Sequence, residues 1–303
     1  MCGIVGLFLK DKSLEPRLGA LLSDMLVTMT DRGPDSAGIA IYGGEAEGVA
    51  KITVQSPNPA RDFPGLEAAL SDASGGAARV AVKSTHAVVS LPADRLDAVR
   101  AALAEVAPDV RVMGAGTSVE IYKEVGLPKD VVARFGVAEM GGTHGIGHTR
   151  MATESAVTTL GAHPFSTGAD QCLVHNGSLS NHNNLRREMM RKGMRFETQN
   201  DSEVAAAYLT AEMETGKDLG QALTGALDDL DGFFTFVVGT RSGFGVLRDP
   251  IACKPAVMAE TDQYVAFGSE YRALVNLPGI ETARVWEPEP ATVYFWDHDK
   301  AAA

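Results

Sequence analysis

The sequence is short of cysteine, of positive charge and of long apolar runs, and each shortage removes a class of protein. Its three cysteines, Cys2, Cys172 and Cys253, are odd in number and scattered along 303 residues, so neither a disulfide framework nor a metal-ligand spacing can be read from them. A reducing cytoplasm is the compartment that such usage fits. Lysine and arginine total 27 against 39 acidic residues, a formal net charge of −12, which argues against nucleic acid as a partner because phosphates need a basic surface. No stretch approaches the ~20 apolar residues of a membrane-spanning helix. The opening apolar run ends at Lys10 and Asp11, too early for a secretory signal. What is present is a 45% hydrophobic composition, enough for one large domain or a domain with a sizeable insertion.

The chain opens Met1-Cys2-Gly3-Ile4-Val5-Gly6. A cysteine in second place becomes the terminal residue once the initiator methionine is removed. It then carries a nucleophilic thiol and, as a base within reach, its own α-amine of reference pKa about 7.7–8.0. The plainer reading of Cys2 is a small buried apolar residue. Apolar periodicity predicts a buried strand over 2–9 and a helix over 14–30. Between that helix and a strand opening at Gly38 lies the turn Asp31-Arg32-Gly33-Pro34-Asp35-Ser36-Ala37-Gly38. In it Arg32 and Asp35 either pair across the turn or, with Gly33 and Ser36, frame a pocket.

Residues 44–140 change character, with alanine-rich helices alternating with short valine-rich strands, and read as an inserted α/β subdomain suited to contacting a partner. Helices are expected over 64–73, 92–106 and 118–135. Polar motifs then return. Gly147-His148-Thr149-Arg150 places a planar, permanently charged fork at a strand mouth, suited to a carboxylate, where the alternative is an ordinary salt bridge. His175-Asn176-Gly177 ends another strand. There the Asn176 amide and the Gly177 N–H are a plausible oxyanion pair, although Asn-Gly is also a common turn. Asp201, opening a helix, is either its N-cap or a holder of a substrate ammonium. Further strands and a helix over 270–276 complete a set of packed sheets covered by helices.

These motifs occur in the order shown by class II glutamine amidotransferases of the N-terminal-nucleophile hydrolase superfamily, and the chain resembles that family. The resemblance continues through Arg248-Asp249-Pro250, Lys254-Pro255 and Gly268-Ser269-Glu270. It departs at Met151, Glu154 and Ser155, where relatives carry tryptophan and a His-Gly pair. The resemblance implies an α+β fold, a four-layer αββα sandwich interrupted by the insertion. It implies that Cys2 attacks the side-chain amide of L-glutamine, with Asn176 and Gly177 as oxyanion hole. Arg150 would take the α-carboxylate and Asp201 the α-ammonium, with Thr153 and His163 also on the substrate. No metal or cofactor is implied on this chain. A free-standing chain of this kind resembles the amidotransferase subunit of glutamate-synthase-like complexes, including N-methylglutamate synthase. Synthase subunits on separate chains, carrying FMN and iron–sulfur clusters, are then the expected partners in a hetero-oligomer. The alternative is a catalytically silent assembly subunit that retains a glutamine pocket.

Overall fold

The computed structural model describes residues 2–152 and 156–300. The first strand, β1 (Gly3–Leu9), is buried along its whole length, and its alternation says why. Val5, Leu7 and Leu9 join one apolar cluster and Ile4 and Phe8 another, so both faces of the strand are covered. The helix α1 (Leu18–Thr28) presents Leu18, Leu21, Leu22, Met25 and Leu26 to the first cluster, the i, i+3, i+4 stripe of a helix lying on a sheet. A 3-10 turn (Lys12–Arg17) precedes it, so the expected helix begins later, after Pro16.

Next comes β2 (Ser36–Tyr42), followed by an excursion through β3 (Val49–Gln55), β4 (Arg79–Lys83), β5 (His86–Pro92), the helix α2 (Leu96–Val106) and β6 (Arg111–Gly116). These four strands form their own antiparallel sheet, ordered β4-β5-β3-β6. Ile52, Val54, Val89 and Leu91 pack there on Val99 and Leu103 of α2. The helix expected over 64–73 is instead short turns at Pro59–Asp62, Leu66–Ala69 and Ser71–Ser74, interrupted where Gly65 takes φ +81°.

The sheet of the excursion closes at Gly116, and the helix expected over 118–135 is two elements. The strand β7 (Val119–Val125) pairs with β2, and the helix α3 (Pro128–Phe135) packs into the α1 cluster through Val131, Val132 and Phe135. The sequence of β7 alternates: Val119 and Ile121 face one core and Tyr122 the other. Residues 119–140 therefore belong to the main body, and the insertion ends earlier than its composition suggested.

The strand β8 (His144–Arg150) lies between β1 and β2. Its Gly145 and Gly147 let α1 lie close, since a Cβ at either would meet Leu22 or Leu26 at 2.9 and 3.1 Å. A second sheet begins with β9 (Phe165–Gly168) and β10 (Gln171–Leu179) and is covered by the helices α4 (His182–Arg191), α5 (Asp201–Glu214) and α6 (Leu219–Asp229). Ten consecutive residues of α5, from Ser202 to Ala211, are buried; it packs between the sheet and its sister helices and carries no polar stripe. The sheet continues with β11 (Gly232–Gly239) and β12 (Gly243–Arg248). The first sheet is completed by β13 (Val257–Glu260), β14 (Tyr264–Gly268) and β15 (Arg284–Trp286), and the second by β16 (Thr292–Asp297). The helix expected over 270–276 is only a 3-10 turn (Tyr271–Ala273), because Ser269 is bonded to Ile4 through both its N–H and its hydroxyl.

The result is a seven-stranded sheet ordered β15-β13-β14-β1-β8-β2-β7 facing a five-stranded sheet ordered β16-β12-β11-β10-β9. The layer between them is filled by Ile4, Phe8, Tyr42, Val174, Val237, Phe244 and Phe267. With α1 and α3 outside one sheet and α4, α5 and α6 outside the other, this is the four-layer αββα sandwich. Among the described residues no helix is long and apolar enough to cross a membrane.

Candidate active site

Cys2 is half-buried at the leading end of β1, in the middle of the seven-stranded sheet. Its carbonyl is gripped from two sides. Arg32 Nε donates to it at 2.9 Å and Asn176 Nδ2 at 3.3 Å, bringing together motifs that lie far apart along the chain. Arg32 does not pair with Asp35: its Nη1 meets Glu270 Oε1 at 2.6 Å. The hydrogen bond from Arg32, with help from Arg272, holds the Glu270 carboxyl below the usual carboxylate range. Glu270, the last residue of Gly268-Ser269-Glu270, completes the clamp; the need of Arg32 for an acidic partner is the signal in the sequence that points to such a residue.

The rest of the Arg32–Ser36 turn frames the arginine strand. A Cβ on Gly33 would stand 2.4 Å from the carbonyl carbon of Thr149, so only glycine lets the turn lie flat on the end of β8. Asp35 donates its N–H to Arg150 O at 3.1 Å and accepts from the Ala152 N–H through Oδ2 at 2.8 Å, and Ser36 is paired in register with Arg150. Arg150 itself is buried at the end of β8, with Nη1 3.3 Å from Ala156 O. Thr153 lies outside the described residues, as do Glu154, Ser155 and Met1.

On the opposite sheet, strand alternation aims Asn176 at Cys2 and His175 at α5. A Cβ on Gly177 would fall 2.0 Å from Phe233 O and 2.8 Å from His175 Nε2, so no larger residue fits between β10 and β11. Asn200, not Asp201, caps α5, accepting from the Ser202 N–H. Asp201 is left in the first turn, where the helix end favours an anion. Its Oδ2 accepts from the Leu179 N–H at 2.9 Å, its Oδ1 accepts from the Ser202 hydroxyl at 3.3 Å, and its side chain is 22% exposed, so it is held at both oxygens and still open to solvent. The two roles weighed for this carboxylate do not compete, because the cap is a different residue.

His163 is buried. It stacks on His148 at 4.0 Å and its Nε2 is 2.9 Å from Ser202 Oγ. Burial keeps it neutral, well below the usual histidine range. The loop that carries it is tied down by Lys123, whose Nζ donates to Leu160 O, Ala162 O and Pro164 O; burial lowers that amine to about 8. The structure therefore brings Cys2, Arg32 and Asn176 into contact, with Asp201 in the first turn of α5, Arg150 at the end of β8, and His163 against His148 and Ser202. Among the described residues no cluster of histidine, cysteine and carboxylates could hold a metal ion.

Residues 148–276 match the family model of a glutamine amidotransferase domain. The chain is 81% identical to the glutamine amidotransferase-like protein GlxB of Rhizobium meliloti (strain 1021), over 100% of both chains. It is 35% identical, over 50% of this chain and 32% of the relative, to an amidophosphoribosyltransferase of Synechocystis sp. (strain PCC 6803). The solved glutamine phosphoribosylpyrophosphate amidotransferase of B. subtilis shares the fold at a TM-score of 0.63 and 18% identity, over 98% of this chain and 48% of that one. The chain thus spans about half the length of that enzyme.

Proposed function

The chain belongs to the class II glutamine amidotransferases, and from that premise we propose that it is a glutaminase subunit whose site is built on Cys2. In this reading the Cys2 thiol adds to the side-chain carbonyl carbon of L-glutamine, and its α-amine takes the thiol proton and passes it to the departing nitrogen. Asn176 Nδ2 and the Gly177 N–H stabilise the oxyanion. Ammonia leaves, a γ-glutamyl thioester remains, and water adds to it to release glutamate and restore the thiol. Arg150 would hold the α-carboxylate and Asp201 the α-ammonium, so a fixed cation and a fixed anion frame neutral donors placed where charge develops. The observation that carries this reading is the shared grip of Arg32 and Asn176 on the Cys2 carbonyl.

Ammonia needs an acceptor. The rhizobial relative is matched along its whole length, which leaves no room in it for a fused synthase and supports an acceptor site on a separate chain. We place that site on the synthase subunits of a cytoplasmic glutamate-synthase-like assembly such as N-methylglutamate synthase, whose FMN and iron–sulfur clusters would sit on those partners. Among the described residues no side chain of the insertion is bonded to Cys2, Arg32 or Asn176, which supports giving the insertion the partner contact.

The test is the intact mass of the purified protein before and after incubation with an electrophilic glutamine analogue. Loss of Met1 followed by a single adduct on Cys2 is expected. A processed chain that takes no label, even with its partner subunits present, would leave a silent assembly subunit as the better reading. Asn176→Ala is expected to lower kcat by about 10²–10³ with little change in KM, because an oxyanion donor acts in the transition state and not on bound glutamine. Steady-state kinetics check this, and a rise in KM at constant kcat would move Asn176 to ground-state binding.

A further inference from the structure

We propose that Ser202 is the positioning residue that ties the 175–177 segment to Asp201, through three buried neutral histidines whose ring protons have one fixed arrangement. The proposal rests on reading Asn176, Gly177 and Asp201 as glutamine-site residues.

Ser202 is 1% exposed, and its hydroxyl has three neighbours: His175 Nδ1 at 2.8 Å, His163 Nε2 at 2.9 Å and Asp201 Oδ1 at 3.3 Å. A hydroxyl offers one hydrogen and two lone pairs. If Ser202 gave its hydrogen to either ring, that ring's own proton would move to its other nitrogen, His163 Nδ1 or His175 Nε2. Neither has a partner among the described residues, and an orphaned buried N–H is costlier than an orphaned lone pair. The arrangement that leaves no N–H stranded has His163 Nε2–H and His175 Nδ1–H donating to Ser202, and Ser202 donating to Asp201. The third ring follows independently: His148 Nε2 lies 3.1 Å from His175 O, and only its N–H can bond a carbonyl. Burial keeps all three rings uncharged.

The mechanical consequence follows from strand alternation. The His175 ring is held on the α5 side of β10 while Asn176 points to Cys2 from the other side, and His148 fixes the carbonyl between them. The same hydroxyl orients Asp201 through Oδ1 while the Leu179 N–H holds Oδ2. One hydrogen-bonding group therefore sets both the oxyanion donor and the ammonium holder, which a loop-borne substrate contact could not do.

Two measurements on the full chain test this. Long-range ¹H–¹⁵N correlation with histidine-labelled protein should show neutral rings, protonated at Nε2 in His148 and His163 and at Nδ1 in His175. Ser202→Ala should abolish the Nδ1 preference of His175. Counted per Cys2 that takes the electrophilic label, it should also lower kcat and raise KM for glutamine, each by about tenfold or more, and Ser202→Thr should restore both. A purely architectural Ser202 would reduce the yield of labelled sites while leaving kcat per site and KM within about twofold of the parent, and that result overturns the proposal. His175 protonated at Nε2 in the parent overturns it as well, and this holds even if the alanine variant does not fold. A parent that neither hydrolyses glutamine nor takes label removes the glutaminase reading, and with it the link to the glutamine site, while the spectra still decide the proton arrangement.

Discussion

Cys2→Ala is expected to remove glutamine hydrolysis, with kcat falling by at least about 10³-fold, because on the proposed mechanism the nucleophile and its covalent intermediate disappear together. The fold should not notice. The contacts that anchor residue 2 run through its carbonyl, to Arg32 Nε and Asn176 Nδ2, and alanine keeps that carbonyl. Thermal unfolding of the variant should therefore match the parent while glutamine turnover vanishes. On the proposed function, an assembly of the variant with separate synthase chains should lose synthesis from glutamine and keep synthesis from added ammonia. Undiminished glutamine turnover by the alanine variant would refute Cys2 as the nucleophile.

The second large effect is acid lability below about pH 6.5. Five of the seven histidines, His86, His144, His148, His163 and His175, are buried. Burial pushes His86 down to about 4 and His144 and His148 down to about 3, and His163 and His175 are lowered by the same cause. The sign follows from proton counting. Below pH 6.5 the unfolded chain takes up protons on these rings and the folded chain does not, so the stabilisation they give is complete above about 6.5 and is lost as pH falls toward the folded values. Each ring contributes a slope of up to about 1.4 kcal/mol per pH unit between its unfolded and folded values, so the three pushed to about 3–4 together remove up to about 4 kcal/mol per unit, a large part of a stability of about 5–15 kcal/mol, and His163 and His175 act in the same direction. Chemical denaturation followed from pH 7.5 to 4.5 should show the midpoint falling steadily once the pH drops below about 6.5. A flat profile to pH 4.5 would mean that the rings take protons without leaving the folded state.

What was legible in the sequence was whatever lies close along it. The apolar run of 3–9 and the i, i+3, i+4 stripe from Leu18 to Leu26 are local, and a buried strand and a helix form there, the helix over a shorter span than expected. Residues 118–135 misled because Val119, Ile121 and the tyrosine between strand faces are followed within a few residues by a helix, and a short alternating run beside a helical one carries little weight alone. Pairing with β2 decides it, and pairing is a non-local fact. The same holds at the site. Arg32 could be seen to need an acid, but nothing near it in sequence says that the acid is Glu270 and not Asp35. His148, His163, His175 and Ser202 sit in different motifs on separate strands, loop and helix, and their meeting follows from two sheets stacked face to face.

The double grip on the Cys2 carbonyl also bears on how this protein is matured. Ahead of the ladders that pair the first strand with its neighbours, its leading end is held at the carbonyl of residue 2 and at both backbone groups of Ile4. None of these bonds uses the amide nitrogen that cleavage of Met1 turns into a free amine. On the proposed function, removal of Met1 would free the amine of residue 2 while these bonds stay in place, so an unprocessed chain would keep the grip on the Cys2 carbonyl and lack only the proposed base.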